Sequence, residues 1–290
     1  MKNKLIRNAK KIDDFLIKYL NKQDRSLLTY PMKYGVISGG KKIRSTVILN
    51  AGKMFNLNQK KLINICASVE CIHSYSLIHD DLPCMDNDSV RRGKPATHIK
   101  FGEASAVLAG NSLLTLAFEI IADKNYSIPS KQKNEIIKSL AYCSGHTGIA
   151  GGQELDLKFE KKKKNLQQII NMQKKKTGKL FNFCLLAVGI LAKKGVKEKR
   201  YLSILGEEIG LLFQLADDFL DIEGNKKLVG KPTNKDNKKG KSTLTKLMGY
   251  NKARNYANNL KKKILLKLKK HGKKGKDLSD TVEFILGRNF

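Results

Sequence analysis

The segment His79-Asp80-Asp81-Leu82-Pro83-Cys84-Met85-Asp86-Asn87-Asp88 carries four carboxylates within nine positions, Asp80 to Asp88. Like charges this close repel one another, so they require full solvation or a bound cation. The acids directly follow a helical stripe of Leu62, Ile65, Cys66, Val69, Ile72 and His73, which puts Asp80 at the inner end of a core-facing helix. Pro83 breaks that helix and lets Asp86 turn back toward Asp80.

A second acidic set, Gln214-Leu215-Ala216-Asp217-Asp218-Phe219-Leu220-Asp221, also interrupts a hydrophobic run. Asp217 and Asp221 are four apart and share a helix face. An isolated acid pair often just decorates an exposed helix end. Two sets, each embedded in apolar helix, point instead to two walls of an oxygen-ligand site for Mg²⁺, an ion held by a few carboxylates plus substrate phosphates.

Phosphate needs cations beyond a metal. Gly39-Gly40-Lys41-Lys42-Ile43-Arg44 presents Lys41 and Arg44 three apart, after two glycines that let backbone approach a ligand. Arg91 and Arg92 follow the first acidic set directly. Lys176-Thr177-Gly178 and Lys231 are weaker candidates, because lysine is common throughout the chain. His73 falls on nearly the same helix face as Asp80, but a lone histidine is usually structural, and its spacing leaves its role open.

The elements that carry these residues read as helices. Ala106, Leu113, Leu114 and Ala117 repeat the helical pattern of 62–73, and sustained β alternation is absent. Glycines at 39–40, 93, 151–152 and 230 punctuate the helical stretches, residues 225–242 read as a polar loop or lid, and 278–286 reads as a last helix before Arg288. No repeat or linker divides the chain, so the expectation is one all-α domain over 1–290.

The chain has 290 residues, 41% of them hydrophobic, which is enough for a large core. Its formal net charge of +31 invites a nucleic-acid reading. The lysines, however, are spread in runs such as 161–164, 174–176 and 261–263, with no zinc-finger spacing, RNA-binding aromatic motif or basic zipper. Compositional drift on solvated faces accounts for them, and no nucleic-acid partner is expected. Cys66, Cys71, Cys84, Cys143 and Cys184 are odd in number and lack C-x-x-C spacing, so they read as ordinary buried thiols in a reducing compartment. The basic N-terminus contains Asp13 and Asp14 and lacks a secretory pattern, and the apolar stretch 180–192 falls short of the ~20 residues that span a bilayer. A cytoplasmic protein with no stable membrane insertion is expected.

At these residues the chain closely resembles the trans-polyprenyl synthases, in particular their bacterial farnesyl diphosphate synthase branch. The resemblance runs from Gly39 to Arg288. It includes Gly-Gly-Lys-Lys-Ile-Arg (39–44), residues 71–93, Phe-Gly-Glu-Ala (101–104) and Gly-Gly-Gln-Glu-Leu-Asp-Leu (151–157). It continues through Lys-Thr-Gly (176–178), Phe-Gln-Leu-Ala-Asp-Asp-Phe-Leu-Asp (213–221) and Gly-Lys-Ser-Thr (240–243). It implies an antiparallel helical bundle around a deep cavity, usually a homodimer, that joins isopentenyl diphosphate to dimethylallyl and geranyl diphosphate with Mg²⁺, three ions per site. By that resemblance Asp80 and Asp86 bind magnesium with Asp81 in support, and Asp217 and Asp221 bind a further ion with Asp218 nearby. Arg91, Lys176, Thr177, Gln214 and Lys231 contact the allylic diphosphate. Lys41, Arg44, His73 and Arg92 bind isopentenyl diphosphate, and Arg288 helps close that pocket.

Tyr75 and Ser76 lie five and four residues before Asp80, about one turn deeper. A tyrosine there would floor the cavity, and with the Pro83-Cys84 insertion it points to a fifteen-carbon product. The alternatives are a geranyl or geranylgeranyl diphosphate synthase, or a non-catalytic subunit of a heteromeric synthase, although such subunits lose an acidic motif that this chain keeps. The chain departs from common family residues at Asn87, Asn225 and Asn234, none of them an expected metal ligand.

Overall fold

The computed structural model describes residues 1–23, 26–37, 39–223, 241 and 243–288. The chain forms two compact units, 1–49 with 58–137, and 50–57 with 138–290.

The first unit contains α1 (Lys2–Asn21), α2 (Thr29–Val36), most of α3 (Ile43–Met54), α4 (Gln59–Asp80), α5 (Thr97–Phe101), α6 (Glu103–Ala122) and the start of α7 (Ser130–Ser144). Asn58 caps α4 by accepting from the Lys60 amide at 2.9 Å. Of the stripe foreseen for α4, Leu62, Ile65, Cys66, Val69 and Ile72 are buried, together with Glu70, Ser74 and Tyr75, whereas His73 is half-buried. α6 meets the length and composition of a membrane-crossing helix. Its face from Ala106 to Ile121 is buried, however, and packs on α4. The close contact is made by Gly110, where a Cβ would lie 2.1 Å from His79 Nε2.

One short hairpin departs from the expected absence of strands. Val90–Arg91 (β1) pairs antiparallel with Lys94–Pro95 (β2). Arg92 and Gly93 between them both have positive φ, 52° and 74°, as a two-residue hairpin turn requires. A motif of two residues per strand is too short to show alternation in sequence.

The second unit contains the end of α7, then α8 (Ile149–Phe159), α9 (Leu166–Gln173), a π-helical turn (Lys174–Gly178), α10 (Lys179–Leu191) and α11 (Val196–Glu223). It closes with α12 (Leu244–Met248), α13 (Tyr250–Lys269) and α14 (Lys276–Gly287). Asn165 and Gln168 form a capping box at α9. α10 is buried over most of its length and packs along α11. Among the described residues four of the five cysteines are buried, but Cys84 is exposed, because Pro83 turns the chain outward just past α4.

The α10–α11 contact depends on Gly206, where a Cβ would sit 2.3 Å from the Phe181 carbonyl oxygen. Gly206→Ala is therefore expected to destabilise the fold by about 1–3 kcal/mol. Thermal melts will show it; an unchanged midpoint would contradict this contact.

Candidate active site

In the first unit, Asp80 ends α4 and Asp81 occupies its C-cap. A helix C-terminus is the negative end of the macrodipole, so acids there are unfavourable without cations. The turn after Pro83 returns as foreseen: the Asp86 amide donates to the Asp80 carbonyl at 2.8 Å, and the Asp88 amide to that of Asp81 at 3.1 Å. Asn87 has φ 50°, a left-handed conformation that Asn tolerates, which gives a physical reason for Asn at this position.

The adjacent arginines diverge. Arg91, in β1, donates from Nε to both Asp81 oxygens at 3.0 and 3.1 Å, and its Nη2 forms a further short contact with Oδ1. Arg92, in the turn, donates from Nη1 to the Gly39 carbonyl at 2.7 Å. Gly40, with φ 100°, leaves room for that guanidinium: a Cβ would lie 2.7 Å from Arg92 Cζ. Burial raises the Asp81 pKa, and Arg91 only partly offsets it.

Asp81 is buried and committed to Arg91, so its part is to hold that arginine. Asp80 and Asp86 are only half-buried. Lys42 reaches back to Asp13 at 3.1 Å and to the Val36 carbonyl at 3.0 Å. His73 is held neutral, its pKa driven well down by burial and then by Arg44, Arg92, Lys42 and Arg91. The structure thus gathers Arg44, His73 and Arg92 into one cationic neighbourhood.

Tyr75 is buried and meets His79 edge-on at 5.7 Å. Burial and the nearby Asp80 carboxylate push its hydroxyl up to about 12. Ser76 donates to the His73 carbonyl at 3.0 Å.

In the second unit, Asp217 is 38% exposed in its side chain, whereas Asp218 and Asp221 are buried. Asp218 accepts from Gln214 Nε2 at 2.9 Å and Gln173 Nε2 at 3.2 Å. Gln214 in turn accepts from the Thr177 hydroxyl at 2.8 Å. Thr177, Gln214 and Asp218 are thereby joined in one network, with Asp218 as its anchor. Arg288, implied by resemblance for the isopentenyl pocket, donates to Asp217 Oδ1 at 2.6 Å and lies over the Phe213 ring at 4.0 Å. Lys176 donates to Asp156 at 2.6 Å. Lys231, Asn225 and Asn234, and all of 225–242 except Lys241, lie outside the described residues.

Three participants went unassigned in sequence: Asp156, Gln173 and Lys241. Their partners are distant in the chain, so only the motif Gly-Gly-Gln-Glu-Leu-Asp could have drawn attention to Asp156.

Among the described residues no three ligating side chains converge into a complete metal cage. At Asp217 the neighbouring cation is the Arg288 guanidinium.

Arg91→Met should leave Asp81 buried without its counter-charge and destabilise the fold by up to about 3 kcal/mol at pH 7. An aspartate whose folded pKa is raised stabilises at low pH and loses that contribution as pH rises through the folded value. The deficit should accordingly shrink as pH falls toward about 4. Denaturant melts across that range test this; a pH-independent deficit would contradict the pairing.

A sequence profile of the polyprenyl synthetase family matches residues 25–283. The chain is 40% identical over 265 residues to the farnesyl diphosphate synthase of Escherichia coli strain K12, covering 89% of this chain and 88% of that one. An FPP/GFPP synthase from Zymomonas mobilis, solved in its apo form, superposes with a TM-score of 0.88 at 36% identity over 98% of both chains. A geranyltransferase from Helicobacter pylori, complexed with magnesium and isoprenyl diphosphate, superposes with a TM-score of 0.83 at 31% identity, covering 98% of this chain and 96% of that one. The fold is the all-α isoprenoid synthase fold, and the chain belongs to the polyprenyl synthetase family.

Proposed function

We propose that this enzyme is a short-chain prenyltransferase that condenses isopentenyl diphosphate with dimethylallyl and then geranyl diphosphate, releasing farnesyl diphosphate in the cytoplasm. The observation that carries this reading is the retention of both acidic sets, each beside cations that neutralise it: Arg91 on Asp81, and Arg288 on Asp217.

Asp80 and Asp86 in the first unit, and Asp217 and Asp221 in the second, serve as ligands for magnesium, with three ions by analogy with the family. Magnesium, when bound, offsets the charge that develops on the departing diphosphate. Asp81 holds Arg91, and Asp218 holds Gln214; Arg91, Lys176, Thr177, Gln214 and Lys231 orient the allylic diphosphate. Lys41, Arg44, His73 and Arg92 bind isopentenyl diphosphate, His73 as a neutral hydrogen-bonding group. The allylic C–O bond breaks, its electron pair leaving with diphosphate. The isopentenyl double bond then attacks the allylic cation, and a proton is lost to restore a double bond. The departed diphosphate is the base, consistent with the neutral, cation-surrounded state of His73. Exclusion of water from the site would protect the cation.

Tyr75, buried one turn before His79 and close to Asp80, is the residue that limits the growing chain, with Ser76 beside it. An assay with isopentenyl and dimethylallyl diphosphates and Mg²⁺ should give a fifteen-carbon alcohol after dephosphorylation. Asp80→Ala and Asp217→Ala should each reduce turnover by about 10³-fold or more, and Tyr75→Ala should lengthen the product. A twenty-carbon product from the parent would remove Tyr75 as the floor and favour the geranylgeranyl alternative; no product would favour the non-catalytic subunit.

The enzyme is further proposed to be a homodimer. Ile99, Val107 and Leu108, on α5 and α6, are apolar yet 56%, 38% and 54% exposed, and burial against a second copy would cover them. Sedimentation of the parent should show a dimer, and Leu108→Glu should shift it to monomer; a monomeric parent would refute this.

A further inference from the structure

The second unit gathers cations at two segments remote from its acidic set. Residues 261–276 hold nine lysines and no acid, and 193–200 hold four lysines and Arg200 against Glu198 alone. We propose that these two segments form a docking surface for the headgroups of an anionic lipid bilayer, which the protein touches without crossing. Such docking is independent of the reaction proposed above.

Contacts within the unit bring the two segments together. α11 and α13 pack antiparallel: Glu198, near the start of α11, pairs with Lys270 at 3.2 Å, and Glu208 pairs with Lys263 and Lys267 at 3.1 and 2.7 Å. Tyr201 donates to the Lys267 carbonyl at 2.8 Å, and Lys270 lies over its ring at 3.3 Å. Lys194 covers the Phe55 ring at 4.9 Å, and Phe55 meets His271 edge-on at 5.8 Å. The turn before α11 and the end of α13 therefore share one end of the second unit.

The acids of that seam are taken by Lys263, Lys267 and Lys270, and further cations stand exposed beside it. Among the described residues no acid pairs with Lys262, Lys269, Lys273 or Lys274, all of them exposed. The same holds for Lys197 and Arg200. Helix stability does not explain them. A helix N-terminus is the positive end of the macrodipole, so Lys197 and Arg200 sit where a cation is disfavoured. The dipole favours Lys269 at the end of α13, but not Lys262 two turns earlier. Compositional drift raises lysine over a whole surface, yet it does not empty one face of unpaired acids.

Exposed apolar side chains distinguish a bilayer from a nucleic acid. Val196, Ile204 and Leu266, on the same two helices, are 83%, 44% and 63% exposed. Leu266 is ringed by Lys262, Lys263, Lys269 and Lys270, its helical neighbours three and four positions away. A phosphate backbone gains little from such a leucine. At a bilayer it enters the acyl boundary, while long lysine stems keep the ammonium groups among the headgroups. Each lysine near an anionic surface gives a several-fold gain in partitioning.

Flotation of the full chain with lipid vesicles at ~0.1 M salt, which screens distant charges, tests the proposal. Vesicles of equal parts phosphatidylglycerol and phosphatidylcholine should bind the parent about tenfold or more above pure phosphatidylcholine. The triple variant Lys262→Gln/Lys269→Gln/Lys273→Gln should lower that binding by about tenfold or more. Leu266→Gln, which keeps the charge, should lower it several-fold. A matched triple, Lys161→Gln/Lys162→Gln/Lys163→Gln, removes equal charge elsewhere in the unit and should stay within about twofold of the parent. The substituted side chains are exposed, so the melting midpoints should not move. Equal losses in the two triples would assign binding to the net charge of the whole chain and overturn the proposal. A parent that ignores anionic vesicles, or a Leu266→Gln variant that binds them as the parent does, would overturn it too. So would duplex DNA bound more tightly than the vesicles through the same three lysines, which would make the surface one for nucleic acid.

Discussion

The constraint on which the structure depends is the neutralisation of carboxylates that apolar helices carry inward. Asp80 and Asp81 stand at the negative end of α4, and Asp217, Asp218 and Asp221 share the apolar α11. Neither position is comfortable for an acid alone, and each set is met by cations from its own unit: Arg91 on Asp81, Arg288 on Asp217. The acids divide by what they touch. Asp81 and Asp218 are buried and spent on holding an arginine or two glutamines, whereas Asp80, Asp86 and Asp217 keep more exposure. Deeply buried acids and acids with more exposure are thus interleaved within each set.

Backbone conformation makes that division possible. Lys42, Asn87 and Arg92 adopt positive φ, a conformation non-glycine residues rarely take, and all three lie in or beside the first unit's charged cluster. The turn at Arg92-Gly93 sends two adjacent arginines to different partners, Asp81 and the Gly39 carbonyl. In the second unit close packing at Gly152 performs the corresponding task, bringing α8 onto the π turn that carries Lys176 and Thr177. π turns are concentrated at functional sites because they re-aim side chains within an otherwise regular helix.

Much of this was legible in the sequence, for a physical reason. Acids inside apolar stripes are costly, so their spacing in 80–88 and 217–221 stands out against helical periodicity, and Pro83 announces the break that turns Asp86 back. What remained hidden depends on contacts remote in the chain. The partnership of Asp156 with Lys241 spans 85 positions, so the motif at 151–157 can mark Asp156 but not its partner. The pairing of Asp81 with Arg91 was equally silent, since adjacent Arg91 and Arg92 look alike until a hairpin too short to alternate separates them. Cys84 was misjudged as buried because composition says nothing of which way a proline turn faces. His73 shows the intermediate case: its helix position was readable, but its neutral state arises from burial and four cations that folding assembles.

The proposed function requires that these carboxylates hold magnesium together with a diphosphate, as an ion that takes few carboxylates beside substrate phosphate would. Calorimetric titration of Mg²⁺ into the parent protein, with and without inorganic diphosphate, tests it most directly. Weak binding of either partner alone, and tight binding of both together that is lost in Asp217→Ala, is the predicted result. Tight Mg²⁺ binding without diphosphate, or diphosphate binding indifferent to a chelator, would contradict the account.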